Sequence, residues 1–176
     1  RVRGEGLDTL PVRPREYSDM LIGALGNQPL VEAFPGGDAL LVHQFLAPRG
    51  FLVLDDGTAT PLRVPTPDAT AAQIGYIPRP PVTVDQYPQL LLPAMSLSVD
   101  RGGREAYLLT RSGRSTDGRY GRAIIRTDDR LGFRAAYTLD VHAVQMAILP
   151  RRGAALVVDD MDRFHLCPLP ADAYAE

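Results

Sequence analysis

RGFLVLDD at Arg49 to Asp56, GRAIIRTDD at Gly121 to Asp129 and RGAALVVDD at Arg152 to Asp160 decide how this chain reads. Each has a glycine in its first two residues, runs through consecutive apolar residues, some of them β-branched, and stops at an acidic pair. Such runs suit strands, and Asp after a strand suits the turn that ends it. The three copies are unevenly spaced, so a tandem array of one period requires a degenerate unit between the first two.

Outward from these anchors the pattern stays extended. PLVEAF, ALLVHQFL, FLVLDD and TPLRV follow one another from Pro29, separated by Pro35-Gly36-Gly37, Arg49-Gly50 and Asp56-Gly57, and predict an antiparallel meander. ALLV and FLVL are apolar at consecutive positions, which predicts burial on both faces. A second set spans Leu90 to Asp140. In its first strand Met95, Leu97 and Val99 alternate with Ser96, Ser98 and Asp100, and in its last Phe133, Ala135, Tyr137 and Leu139 share a face. VHAVQMAIL, AALVV and RFHLCPL supply a third set.

The expected organisation is an arm with a short helix over 1–28, a β-repeat domain over 29–170 with units at about 29–66, 90–140 and 141–170, and a tail over 171–176. Ser18 to Gly26 carries a cap, an apolar stripe and a glycine stop, and Thr66 to Gly75 carries Pro67 in its first turn. Both read as brief helices. The fold class expected is all-β, as antiparallel meanders of about four strands, with a barrel or sandwich as the alternative.

SLSVDRGGREAYLLT at Ser96 to Thr110, followed by a polar loop and a strand ending in an acidic pair, resembles the four-stranded blade of β-propellers of the TolB-like or WD-repeat-like kind. The resemblance extends over Pro29 to Pro170, without tryptophan or a Gly-His and Trp-Asp signature. It implies blades of four strands. Propellers close with four to eight of them, so three units would leave open edges that a second copy or a longer protein would have to cover.

The 176 residues suffice for one domain burying about 70% of its unfolded surface. One cysteine, Cys167, excludes an internal disulfide framework and leaves the compartment open between cytoplasmic and secreted or periplasmic. No apolar run approaches the eighteen or more residues of a spanning helix. All nineteen basic side chains are arginine, as a GC-rich bacterial genome would encode, and the net charge of -2 speaks against a general nucleic-acid binder.

The loop Arg111 to Arg122 departs from this balance. Arg111, Arg114, Arg119, Tyr120 and Arg122, among Gly113, Gly118 and Gly121, form an expected anionic-ligand site of guanidinium forks and backbone amides, set against a plain solvated hairpin tip. Strand follows strand here, so a phosphate loop that should open a helix is not expected. Tyr76, Ile77 and Tyr87, beside Pro80 and Pro81, form an expected partner-contact strip.

No catalytic set is expected. The acidic pairs could bind a hard cation, but adjacent strand residues face opposite ways and a turn role fits better. His165 and Cys167 share a strand face yet make only two of the three or four ligands zinc needs. No motif calls for a cofactor. The expected function is a non-catalytic β-scaffold that associates with a protein partner or itself. The alternatives are a hydrolase or carbohydrate-binding propeller with a loop-built site, and anionic-ligand binding through the arginine loop.

Overall fold

The computed structural model describes residues 29–43, 49–65, 94–100, 102, 104–110 and 121–170. The short helices expected near Ser18 and Thr66 lie outside these residues. The described chain is all-β and forms two antiparallel sheets.

The first sheet is a four-stranded meander of β1 (Pro29–Ala33), β2 (Ala39–His43), β3 (Arg49–Val53) and β4 (Ala59–Arg63), in that order. The second also follows chain order, through β5 (Ser96–Asp100), β6 (Glu105–Thr110), β7 (Gly121–Asp128), β8 (Phe133–Leu149), β9 (Ala154–Asp159) and β10 (Phe164–Pro168). A 3-10 turn at Pro150–Arg152, closed by left-handed Gly153, joins β8 to β9. The 17-residue β8 runs through the expected unit boundary at 140/141. Its first part pairs with β7 and its last part with β9, so the strands expected as a separate unit extend the second sheet.

Four hairpins close on a five-residue loop, the first from Phe34 to Asp38, and the other three share one geometry. Leu54 N–H donates to Thr58 C=O at 2.8 Å, Asp128 N–H to Gly132 C=O at 3.0 Å and Asp159 N–H to Arg163 C=O at 3.0 Å. In each, the fourth residue (Gly57, Leu131 or Asp162) donates back to the first and takes a positive φ. This is a tight turn followed by a left-handed residue. The acidic pairs mark these loops, but not in one register. Asp128 and Asp159 are first residues, whereas Asp55 and Asp56 are second and third.

The sheets enclose two cores. Leu40, Val42 and Leu52 of the first sheet meet Leu97, Val99, Ala106, Leu108 and Ile125 of the second. The opposite face of the second sheet gathers Tyr107, Leu109, Ile124, Tyr137, Met146 and Val157. Burial on both faces therefore belongs to β6 and β7, while Leu41 and Phe51 of the first sheet are half-buried on its other face. Leu131 wedges between the sheets. A Cβ on Gly50 would stand 2.9 Å from its Cδ1 and 3.0 Å from the Leu41 carbonyl oxygen, so glycine is required there.

Two facial alternations come out differently from expectation. Leu97 and Val99 enter the first core, but Met95, one residue before β5, packs on the second. Phe133 is half-exposed although Ala135, Tyr137 and Leu139 are buried, because a register shift between Arg126 and Thr127 turns it out of the face.

The second sheet curls until β5 reaches the last part of β8. Side chains bridge this seam in place of a backbone ladder. Ile148 N–H donates to Ser98 Oγ at 3.1 Å, and Ser96 Oγ stands 3.3 Å from both the N–H and the C=O of Met146. The serines of the alternating strand thus satisfy backbone groups that the curl would leave bare.

Candidate functional site

Of the expected anion-binding residues, Arg111, Arg114, Arg119 and Tyr120 lie outside the described residues, as do the expected contact residues Tyr76, Ile77 and Tyr87. Arg122 falls within β7, and the description covers its backbone alone. The sites that can be built sit elsewhere.

At one end of the molecule Arg104, held at φ 51, joins loops of both sheets. Its Nη2 meets Asp38 Oδ2 at 2.8 Å, its Nε meets Asp129 Oδ2 at 2.7 Å, and its guanidinium lies 5.4 Å from the centre of the Phe34 ring. Further in, Arg126 forks onto both oxygens of Glu105 at 2.6 and 3.0 Å, and Tyr107 donates its hydroxyl to the same carboxylate at 3.0 Å. Burial, reinforced by Glu105, pushes the Tyr107 phenol well above its usual range. The first cluster sets one guanidinium against two carboxylates and the second pairs one with one, and both act as clasps.

A cleft of about 400 Å³ opens between β1 and the β5/β8 seam, with Val31, Glu32, Ser96 and Gln145 among its walls. Among the described residues Glu32 is the one ionisable group that lines it, and no acid and base meet there.

The β9–β10 hairpin does bring Asp, His and Arg together. The Asp159 carboxylate is 1% exposed. Its Oδ1 accepts the N–H groups of Met161 and Arg163, each at 2.9 Å, and its Oδ2 meets Arg163 Nε and His165 Nε2, each at 2.8 Å. Burial opposes its ionisation, but the His165 and Arg163 contacts and the two backbone donors hold its pKa well below the usual carboxylate range. With both oxygens engaged, the carboxylate locks the turn.

Cys167 lies two residues beyond His165 on the same face, which superficially completes an Asp, His and Cys set. Its chemistry argues otherwise. Burial, with the nearby charge of Asp140, raises the thiol pKa, the reverse of an activated nucleophile. Among the described residues no three His, Cys, Asp or Glu side chains are grouped to hold a metal ion.

The turn role read from the acidic pairs is visible in atoms. Asp56 Oδ1 accepts from Thr58 N–H at 2.8 Å, and Asp128 Oδ1 accepts from Arg130 and Gly132 N–H at 2.9 and 2.7 Å. A second regularity went unread. Asp128 meets Arg134 at 3.3 Å and Asp159 meets His165 at 2.8 Å, both six residues on, so a basic residue at that offset crosses each hairpin to the loop carboxylate.

That crossing turns His165 inward and its neighbours outward. Phe164 is 71% exposed, Leu166 55% and Met161 70%, with half-buried Leu156 and Val158 beside them on β9. The bonds Asp159 N–H to Arg163 C=O and Leu169 N–H to Gly153 C=O set the alternation. Odd-numbered residues of β10 face β9, and the backbone groups of Phe164 and Leu166 face away from it. Among the described residues no strand pairs with that edge.

The other sheet edges are blunted. In β4 the same alternation, set by Leu54 and Thr58, points Ala59, Pro61 and Arg63 outward, and Pro61 deletes the central donor. β5 is tied to β8 by its serines and packs alongside β1, whose first outward residue is Pro29.

No protein-family model and no curated protein matches the sequence. Among solved structures the chain is similar to a streptogramin B lyase, with a TM-score of 0.42 and 11% identity over 81% of this chain and 41% of that one. A catalytically inactive virginiamycin B lyase from Staphylococcus aureus with Quinupristin gives a TM-score of 0.44 and 11% identity over 82% and 42%. The chain thus spans about two fifths of the length of these structures, which are β-propeller enzymes. At this level the likeness carries no argument about fold or activity.

Proposed function

We propose that this chain is a non-catalytic β-scaffold, built of blade-like meanders, that associates with a protein partner through the open edge and outer face of β10. One observation carries the proposal: the strand with two outward backbone donors and no ladder partner among the described residues also exposes Phe164 and Leu166. An unpaired edge is a template for strand addition, and a cluster of exposed large apolar side chains marks contact surface. The blunting of β4 by Pro61 sharpens the contrast.

The test is site-specific photo-crosslinking in the native cell. A photoreactive residue at position 164 is expected to give a discrete crosslinked species, and one at Thr60 of β4 is not. Absence of any product at position 164 would remove the proposal.

A further inference from the structure

Resting on that reading, we propose that the partner is a second copy of this chain, its β10 pairing antiparallel with the first across a two-fold axis at His165. Phe164 and Leu166 stand two residues apart on either side of that axis. Phe164 of each copy therefore falls opposite Leu166 of the other as a hydrogen-bonded pair. Every outward N–H and C=O of the two residues finds a partner. An axis through Leu166 instead would set Phe164 against Pro168 and leave the Phe164 carbonyl bare.

The side chains are self-complementary in the same register. On the outer face each phenyl ring lies across from a leucine of the other copy, an aromatic and aliphatic cross-strand pair. Arg163, whose side chain is 63% exposed, falls opposite Cys167 of the second copy, in the neighbourhood of that copy's Asp140. Cation thus approaches anion twice, once on each side of the axis. Pro168, without an N–H, limits the ladder at its far end and the Asp159-locked turn limits it at the other, so two chains satisfy the edge and a third finds no site.

The whole chain should be a dimer by light scattering, and amide exchange followed by NMR should locate the contact. The amides of Phe164 and Leu166 are expected to slow at least about tenfold as concentration rises through the dimer range, because their opening then requires dissociation. Those of His165 and Cys167, bonded to β9, are expected to be slow throughout. Leu166→Pro, whose one lost backbone donor points outward, should be monomeric with unchanged circular dichroism, whereas Leu166→Asn, which loses the leucine side chain and keeps the donor, should still dimerise, more weakly. Concentration-independent exchange at both amides would overturn the pairing even if the proline variant fails to fold. Equal loss in the two variants would place the contact on the face and overturn it as well. A crosslink from position 164 to a different protein sinks self-pairing while leaving the association reading intact, and no crosslink at all sinks both.

Discussion

β6 and β10 belong to one sheet and meet opposite fates. In β6 every residue after Glu105 is buried, the two faces feeding two different cores. In β10 the inward row, His165 and Cys167, is half-buried, and the outward row, Phe164 and Leu166, is exposed. The difference does not follow from hydrophobicity, since EAYLLT and FHLCP are both apolar on alternate positions. It follows from the buried carboxylate of Asp159, which draws His165 inward and turns the larger apolar pair to the outside. An apolar surface produced by a polar constraint is the kind of local conflict expected where a protein meets a partner.

The largest test of this contrast is a matched pair of truncations. Leu108 in β6 is fully buried, and Leu108→Ala should destabilise the chain by about 2–5 kcal/mol through lost burial and a cavity. Leu166→Ala removes the same atoms from an exposed position and should change the monomer's stability by no more than about 0.5 kcal/mol. Denaturant titration at a concentration below association measures both, and comparable losses would dissolve the distinction between centre and rim.

Next in size stands Asp159→Asn, which strips Arg163 and His165 of a charged partner and is expected to loosen the β9–β10 hairpin. The pH dependence has a definite sign. A carboxylate whose pKa is depressed on folding contributes its full stabilisation above its unfolded value, about 4, and loses it as pH falls from there toward the depressed value. Wild type should therefore exceed the Asn variant in hairpin amide protection near pH 5, and the gap should narrow steadily with acidification below about 4. A gap that stayed constant in acid would show that the hydrogen bonds to Asp159 do not depend on its charge, and one that widened would mean that its pKa is raised on folding.

The strands were largely legible because glycine and aspartate bracket short apolar runs, and the four-stranded first sheet follows that punctuation directly. The 17-residue β8 was not, since Asp140 reads as a strand end while in fact it only faces outward partway along. The site at β10 was harder still. Alternation alone would put Phe164 and Leu166 inside, and only the Asp-to-basic spacing shared by Asp128 with Arg134 and Asp159 with His165 signals the reverse. The arginine loop drew attention through composition, which shows which contacts a segment can make but not which it forms.

The seam between β5 and β8 offers a smaller effect. Ser98→Ala leaves the Ile148 N–H without its 3.1 Å acceptor and should cost about 1 kcal/mol, accompanied by faster exchange of that amide alone. Unchanged exchange would mean that the curl of the sheet holds without its serine bridge.

The smallest change in stability should have the sharpest consequence for the comparison of edges. Pro61 sits at the centre of β4, opposite Phe51, with its ring on the outward side of the ladder. Pro61→Val restores an N–H where none is needed for pairing with β3, so the folded monomer should shift by no more than about 0.5 kcal/mol. The added donor completes an outward set at Ala59, Val and Arg63 like that of β10, and the variant should gain a second, concentration-dependent mode of association, visible by light scattering as species beyond the wild-type assembly. If it behaves as wild type does, a missing donor is not what keeps β4 unpaired. The charge of Arg63 would then be the guard of that edge, and the apolar side chains of β10 would matter more to association than its free backbone.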